Sequence, residues 1–403
     1  MTAARIIIRE IKGYHNFVKL LIVLVGLSAV ASLVRFIFGL GVTTNMNDTF
    51  PWGLWISFDV VTAVPLAAGS FTLGAIVHCF HIKKLEPLVR PAIVTGFLGY
   101  SLVCVGLLLD LGQPQRGWHT MVYWNPHSPM FEVSMCIMAY TTVLFLEFLS
   151  PVCEKFGYYL PLRMLRSIEM PLVVAAAAIS TLHQSSLGTF FLIAVDKLHA
   201  LWYNPLLPLL FWLSAMCAGI SIIIVEATMS HKWMGQPDES ELLEILAKIL
   251  PYGLVVYLTV RVYSLLALSD GPFFDRTALV VVFAVEMLAG VLAPLVMLTS
   301  LRVRENNRLR STAAWLVIFG VILNRFNVSM FGMMAKGTVY YPSFIESVVT
   351  VGVIAAHILF FVLIAKYFPI FEHHPETVDY TLPSKFRKTG KKKAACAAVA
   401  GEA

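Results

Sequence analysis

The sequence predicts an all-α integral membrane protein of about ten transmembrane helices. Three observations carry that reading. Of 403 residues, 58% are hydrophobic and 13% are charged, against about 25% charged in a soluble domain. Apolar stretches of spanning length recur near 18–41, 54–80, 91–111, 131–150, 168–190, 206–229, 249–269, 277–299, 312–334 and 344–368. Basic residues collect in alternate loops.

Each stretch approaches the roughly 20 residues that a helix needs to cross hydrocarbon. Helix is forced there, because lipid cannot satisfy backbone N–H and C=O groups. A membrane barrel would instead show alternating segments of about 10 residues. The first stretch carries Ala29-Val30-Ala31, which resembles a cleavage site. The apolar run continues to Gly41, so it is expected to stay as a span.

With the N-terminus placed inside, the inner segments hold 23 Lys and Arg and the outer loops hold 4: Arg116, Lys197, Arg276 and Lys336. That asymmetry predicts both termini in the cytoplasm. The net charge of +6 is thereby read as topology, and no nucleic-acid partner is expected. The tail 373–403 is polar and basic, and is expected to be disordered. Residues 1–372 are read as one transmembrane domain.

The outer loops differ in kind from the inner ones. They carry Phe50-Pro51-Trp52-Gly53, the stretch Trp118 to Pro129, and His199-Ala200-Leu201-Trp202-Tyr203-Asn204-Pro205. An interfacial aromatic belt with turn residues accounts for part of this. The excess on one face points to something bound there.

Ionisable groups inside a span are costly unless paired or hydrated, so they mark candidate function. Toward the outer side lie Arg35, Asp59, Asp110, Glu132, His183 with Gln184, Arg325 and Glu346. Arg261 and Glu286 lie near mid-membrane; Glu147 and Glu226 lie toward the inside. The run His183-Gln184-Ser185-Ser186-Leu187-Gly188 is the densest polar patch in any span, able to hydrogen-bond a carbonyl ligand. The plainer alternatives are helix–helix contact through small polar residues and a static Arg261–Glu286 ion pair.

A haem needs two histidines at matched depth on facing helices. His78 lies near the inner end, while His183 and His357 lie ~10 and ~20 Å below the outer end by helix rise. No pair matches, so no haem is expected. The six cysteines contain no C-x-x-C pair, so neither a disulfide nor an iron–sulfur cluster is expected in this chain.

Several motifs resemble the NrfD/polysulfide-reductase (PsrC-like) membrane-subunit family, and within it the HybB-type subunits of nickel–iron hydrogenases. These are Phe50-Pro51-Trp52-Gly53 with Asp59, Val89-Arg90-Pro91-Ala92, Gly99-Tyr100-Ser101-Leu102 and Asp110-Leu111-Gly112-Gln113-Pro114. Asn125-Pro126-His127-Ser128-Pro129-Met130-Phe131-Glu132, the His183 run and Lys197-Leu198-His199-Ala200-Leu201-Trp202 extend it. Arg261, Glu286 and Tyr341-Pro342 with Glu346 fall where similar residues occur in that family.

The resemblance implies two four-helix bundles, about 52–190 and 206–335, with a flanking helix at each end. It implies a multi-pass subunit of the bacterial inner membrane, without haem. It implies a ferredoxin-like iron–sulfur partner on the periplasmic face and a catalytic subunit, which is a hydrogenase, a molybdenum enzyme or a multihaem cytochrome. The substrate would be a quinone, menaquinone or ubiquinone.

On this reading Asp59, His183 and Glu132 serve catalysis. Gln184, Ser185, Trp52 and Trp202 contact the quinone. Glu286, Arg261, Glu226 and Arg325 form an inward proton path. The rivals are a secondary transporter or ion channel, which would break helices at matched positions of two halves, and a passive membrane anchor. The in-span prolines Pro65 and Pro294 do not match in position.

Overall fold

A computed structural model describes residues 12–48, 50, 52–78, 80–193, 197–268, 273–334 and 340–371. The expected disordered tail, Pro51 and Lys336 fall outside the described residues. Ten helices among them are long and apolar enough to cross a membrane. They are α1 (Asn16–Phe38), α2 (Trp55–His78), α3 (Lys83–Asp110), α4 (Pro129–Phe156) and α5 (Glu169–Leu192). Then follow α6 (Leu207–Met234), α7 (Ser240–Leu268), α8 (Thr277–Thr299), α9 (Asn307–Phe331) and α10 (Phe344–Tyr367). The fold is all-α, as composition and span count predict, and the described residues hold no strand beyond the isolated bridge Asn47–Phe50.

The ends follow local chemistry. Pro129 opens α4, where a missing N–H costs nothing, and Gly157 closes it at φ 73°, a left-handed geometry that glycine adopts without strain. Gly235 closes α6 at φ 65° in the same way. A capping box opens α10: Ser343 Oγ accepts the Glu346 N–H, and the Glu346 carboxylate accepts the Ser343 N–H. The capping box satisfies orphan backbone N–H groups at the start of α10.

Four helices contain π-helical turns: Trp55–Val60 in α2, Ser264–Leu268 in α7, Leu288–Leu292 in α8 and Asn327–Phe331 in α9. Such turns often mark functional positions. Here each lies on or within three residues of a buried ionisable side chain: Asp59, Arg261, Glu286 or Arg325.

Helices α2 to α5 pack on one another, and α6 packs on α2, α5, α7 and α9. Glycines permit the close crossings. A Cβ on Gly219 of α6 would lie 2.9 Å from the backbone of Ala68 and Gly69 in α2, and one on Gly290 of α8 would lie 2.3 Å from the Gly320 Cα in α9. Helix α10 lies on α3, and α1 lies along α10. Only 11% of the α1 window is buried, so most of its surface is left to lipid.

Candidate functional site

The end of the molecule that the charge bias assigns to the outside is called the outer end below. His183 and Gln184 lie a little over two turns short of the outer end of α5, each with 0% exposure. Neither His183 nitrogen and neither Gln184 amide atom has a hydrogen-bond partner. Four unsatisfied polar atoms in a dry interior are rare, since each costs about 1–3 kcal/mol. The two side chains thus bring two donors or acceptors each to one stretch of α5 with no protein group to answer them.

A ladder of hydroxyls runs inward from them. The Tyr100 ring of α3 packs edge-on against His183 at 5.5 Å and against Tyr140 of α4 at 4.5 Å. Ser180, one turn before His183, lies beside both tyrosines. The Tyr140 hydroxyl is 3.0 Å from Ser70 Oγ of α2. Ser70 and Tyr140 close the deep end of a cavity of about 290 Å³, which continues past Glu147 to Arg90, Glu154 and Arg166. Glu154 accepts from Arg90 at 2.9 Å and from Arg166 at 3.0 Å.

Asp59 faces a different neighbour. Its Oδ2 accepts the Thr350 hydroxyl of α10 at 3.0 Å, its Oδ1 has no partner, and the side chain is 1% exposed. No hydrogen bond or ring contact joins it to His183; α3 stands beside both, through Gly106 for Asp59 and Tyr100 for His183.

The other expected site residues are placed as follows. Trp52 packs on Phe190 and Phe191 of α5 at 4.5 and 5.9 Å. Ser185 turns back on its own helix, donating to the carbonyls of Thr181 and Leu182. Glu132 is half-buried on the first turn of α4 and makes no side-chain hydrogen bond or ion pair among the described residues. Trp202 is buried and donates its indole N–H to Glu286 Oε2 at 3.1 Å.

Glu286 gathers a second polar cluster within α6 to α9. Besides Trp202 it accepts from Asn324 at 2.9 Å and Asn327 at 2.6 Å. Arg325 donates to Asn324 Oδ1, the Phe211 carbonyl and Ser214 Oγ, and stacks over the Phe211 ring at 3.6 Å. Arg261 donates to the Leu201 carbonyl at 3.1 Å and lies over Phe283. The considered Arg261–Glu286 ion pair is not formed. Glu226 is not in this cluster: it accepts the Thr95 hydroxyl of α3.

Residues 42–337 match the family described as polysulphide reductase, NrfD. The chain belongs to that family. A protein of Nitratidesulfovibrio vulgaris is 35% identical to this NrfD-family chain over 90% of it and 96% of the relative. The probable Ni/Fe-hydrogenase 2 b-type cytochrome subunit of Escherichia coli is 29% identical, over 83% and 87%. The menaquinone reductase integral membrane subunit of Nitratidesulfovibrio vulgaris is 28% identical, over 84% and 87%.

Within this NrfD-family chain, Tyr140, Ser70 and Ser180 of the hydroxyl ladder went unmarked by sequence reasoning, and Tyr100 entered only as part of the Gly99–Leu102 motif. Tyrosine and serine are ordinary in apolar helices, and only their alignment across four helices distinguishes them. The exposed outer stretch from Trp118 to Trp124, with His119 ringed by Trp118 at 4.4 Å and Tyr123 at 5.2 Å, was legible as a loop of unusual composition.

Proposed function

We propose that this chain is the quinone-reactive membrane subunit of a respiratory oxidoreductase complex, exchanging electrons between a quinone and an iron–sulfur subunit docked at the outer face. The observation that carries the reading is the pair His183 and Gln184, fully buried with all four polar atoms unpartnered. An imidazole and an amide each offer a donor to a quinone carbonyl and an acceptor to a quinol hydroxyl. The family match supports the reading, and the menaquinone reductase relative favours menaquinone.

In this mechanism the partner supplies or removes two electrons. His183 and Gln184 hold one headgroup oxygen, and Asp59 exchanges a proton on the outer side. Trp52, packed on Phe190 and Phe191, walls the approach from the outer end. The second proton is carried by the hydroxyl ladder Tyr100, Tyr140 and Ser70, fed from the cavity that Glu147 lines. Taken with the charge-based orientation, that cavity opens to the cytoplasm of a bacterial inner-membrane protein. Glu286, Arg261, Glu226 and Arg325 are read as a further inward path through α6 to α9.

The catalytic partner is a hydrogenase, a molybdenum enzyme or a multihaem cytochrome. The exposed Trp118–Trp124 stretch is the surface we assign to the iron–sulfur subunit. We read the chain as haem-free. His357 reaches α3 at Gly99 from α10, and His183 reaches it at Tyr100 from α5, so α3 stands between the two imidazoles.

The test uses the assembled complex. His183→Ala and Gln184→Leu abolish quinone-linked turnover while electron transfer to soluble dyes, which bypass the membrane subunit, stays intact. Full quinone activity in both assembled variants places the site elsewhere.

A further inference from the structure

Three carboxylates meet one guanidinium where α1, α2, α3 and α10 come together at the outer end. Glu346 is the settled member: it accepts from Ser343 N at 2.8 Å, Asn45 N at 3.2 Å and the Tyr340 hydroxyl. Arg35 of α1 directs its N–H groups to backbone, Nε to the Leu109 carbonyl at 2.5 Å and Nη2 to the Leu111 carbonyl. It thus caps the last turn of α3 and keeps its charge beside that turn. Asp59 and Asp110 are the unsettled members, since an oxygen of each is buried without a partner.

Helix geometry puts those two together. A Cβ on Gly106 of α3 would lie 3.0 Å from the Asp59 Cβ, so Asp59 packs directly on that glycine. Asp110 follows Gly106 by four residues and shares its face of the helix, one turn outward. Asp110 is within electrostatic range of Asp59, Glu346 and Arg35. It is half-buried, and Leu111, Gly112 and Gln113 beyond it are exposed.

Two neighbouring carboxylates, each with a buried oxygen that lacks a partner, are able to hold a proton in common. We propose that Asp59 and Asp110 share one proton, and that Asp110 relays it between Asp59 and the external face. The inference rests on the reading of Asp59 as a proton partner of the quinone. When quinol is oxidised, a proton leaves Asp59, bonds to an Asp110 carboxylate oxygen, and passes from there to water at the outer end of α3. When quinone is reduced, the same step runs in reverse. One proton moves and no electron does. Arg35 is a positioning residue: it fixes the turn that carries Asp110 and opposes the charge left when the proton departs.

The experiment compares Asp59→Asn, Asp110→Asn and Asp110→Glu in the assembled complex, with a water-soluble naphthoquinone as acceptor or donor and a dye assay as the measure of assembly. Asp110→Asn lowers kcat for quinone turnover about 10²-fold, the scale of a lost acid–base group. It leaves the quinone KM and dye activity unchanged and flattens one limb of the pH profile. Asp110→Glu restores most of kcat with that limb displaced. If Asp59→Asn loses turnover while Asp110→Asn keeps kcat and its pH profile, the relay is overturned and the quinone site stands. If Asp59→Asn also keeps full turnover, the site reading falls with it. Should Asp110→Asn not assemble, Asp110→Glu decides alone, and an undisplaced limb overturns the relay.

Discussion

The Glu286 carboxylate takes the Trp202 indole N–H at 3.1 Å and makes no ion pair with Arg261. Its other donors are the neutral amides of Asn324 and Asn327. Asn324 in turn accepts from the buried Arg325 guanidinium, so an amide bridges that guanidinium and the Glu286 carboxylate. A cavity of about 10 Å³ beside Glu286, lined by Ser214, Tyr257 and Asn324, has room for about one water.

That arrangement gives the first prediction. In proteoliposomes Glu286→Gln keeps quinone turnover and lowers the membrane potential generated per electron. Turnover and potential both unchanged, with only a lowered melting temperature, would assign Glu286 to packing alone.

Arg261 and Glu286 also show where sequence reading stops. Both were legible as out-of-place charges on consecutive helices. Their partners were not, because partner choice depends on helix rotation and on a loop: Leu201 and Trp202 reach in to take one residue each. Trp202 was read as a quinone contact, and its indole N–H is taken up by Glu286 in the protein interior. All ten helices were legible in number and order, since span length and lipid chemistry leave little choice, while inner ends such as those of Lys83–Asp110 and Ser240–Leu268 begin eight and nine residues before the apolar stretches. His183 and Gln184 were legible for the same reason, as polar groups in lipid. The inner cavity was not, because its walls belong to four helices and its mouth joins Arg90 of α3 and Glu154 of α4 to Arg166 of the segment between α4 and α5.

The second prediction concerns that mouth. Glu154 is 4% exposed and clasped by Arg90 and Arg166, which keep 25% and 35% of their side-chain exposure. Glu154→Ala leaves two guanidiniums facing each other. A fully buried pair costs about 3–5 kcal/mol to break. Partial exposure of both arginines lowers this to about 2 kcal/mol. Thermal melting of the detergent-solubilised complex reads the loss; an unshifted midpoint would show that the clasp contributes nothing.

A third prediction is a pH dependence at the outer surface. His199 Nδ1 accepts the Leu201 N–H at 3.2 Å, so Nε2 carries the proton donated to Asp275 Oδ1 at 2.8 Å. That hydrogen bond from His199 holds the Asp275 carboxyl below its ordinary range. A carboxyl depressed by folding stabilises the fold above its unfolded pKa, near 3.9 for Asp, and the contribution fades as pH falls through the folded value. Melting temperature therefore drops more steeply below about pH 4 in the native chain than in Asp275→Asn. Parallel acid limbs in the two proteins would remove the pair from the account of stability.

The last prediction tests the close crossing of α8 and α9. A Cβ on Gly290 would lie 2.3 Å from the Gly320 Cα, which is backbone and cannot rotate away. Gly290 sits in the π-helical turn that follows Glu286 by two residues. Gly320 precedes Asn324, a Glu286 donor, by one turn of α9. Gly290→Ala must push the helices apart, and overpacking of this kind typically costs about 1–3 kcal/mol. The same displacement lengthens the 2.9 Å bond from Asn324 to Glu286. The variant should therefore melt earlier and also show the lowered potential per electron expected of Glu286→Gln. His183 and Gln184 lie on α5, away from this crossing, so the quinone KM should not move. A lower melting temperature with native potential would separate helix packing from the chemistry of Glu286, and would confine the role of the glycine pair to assembly.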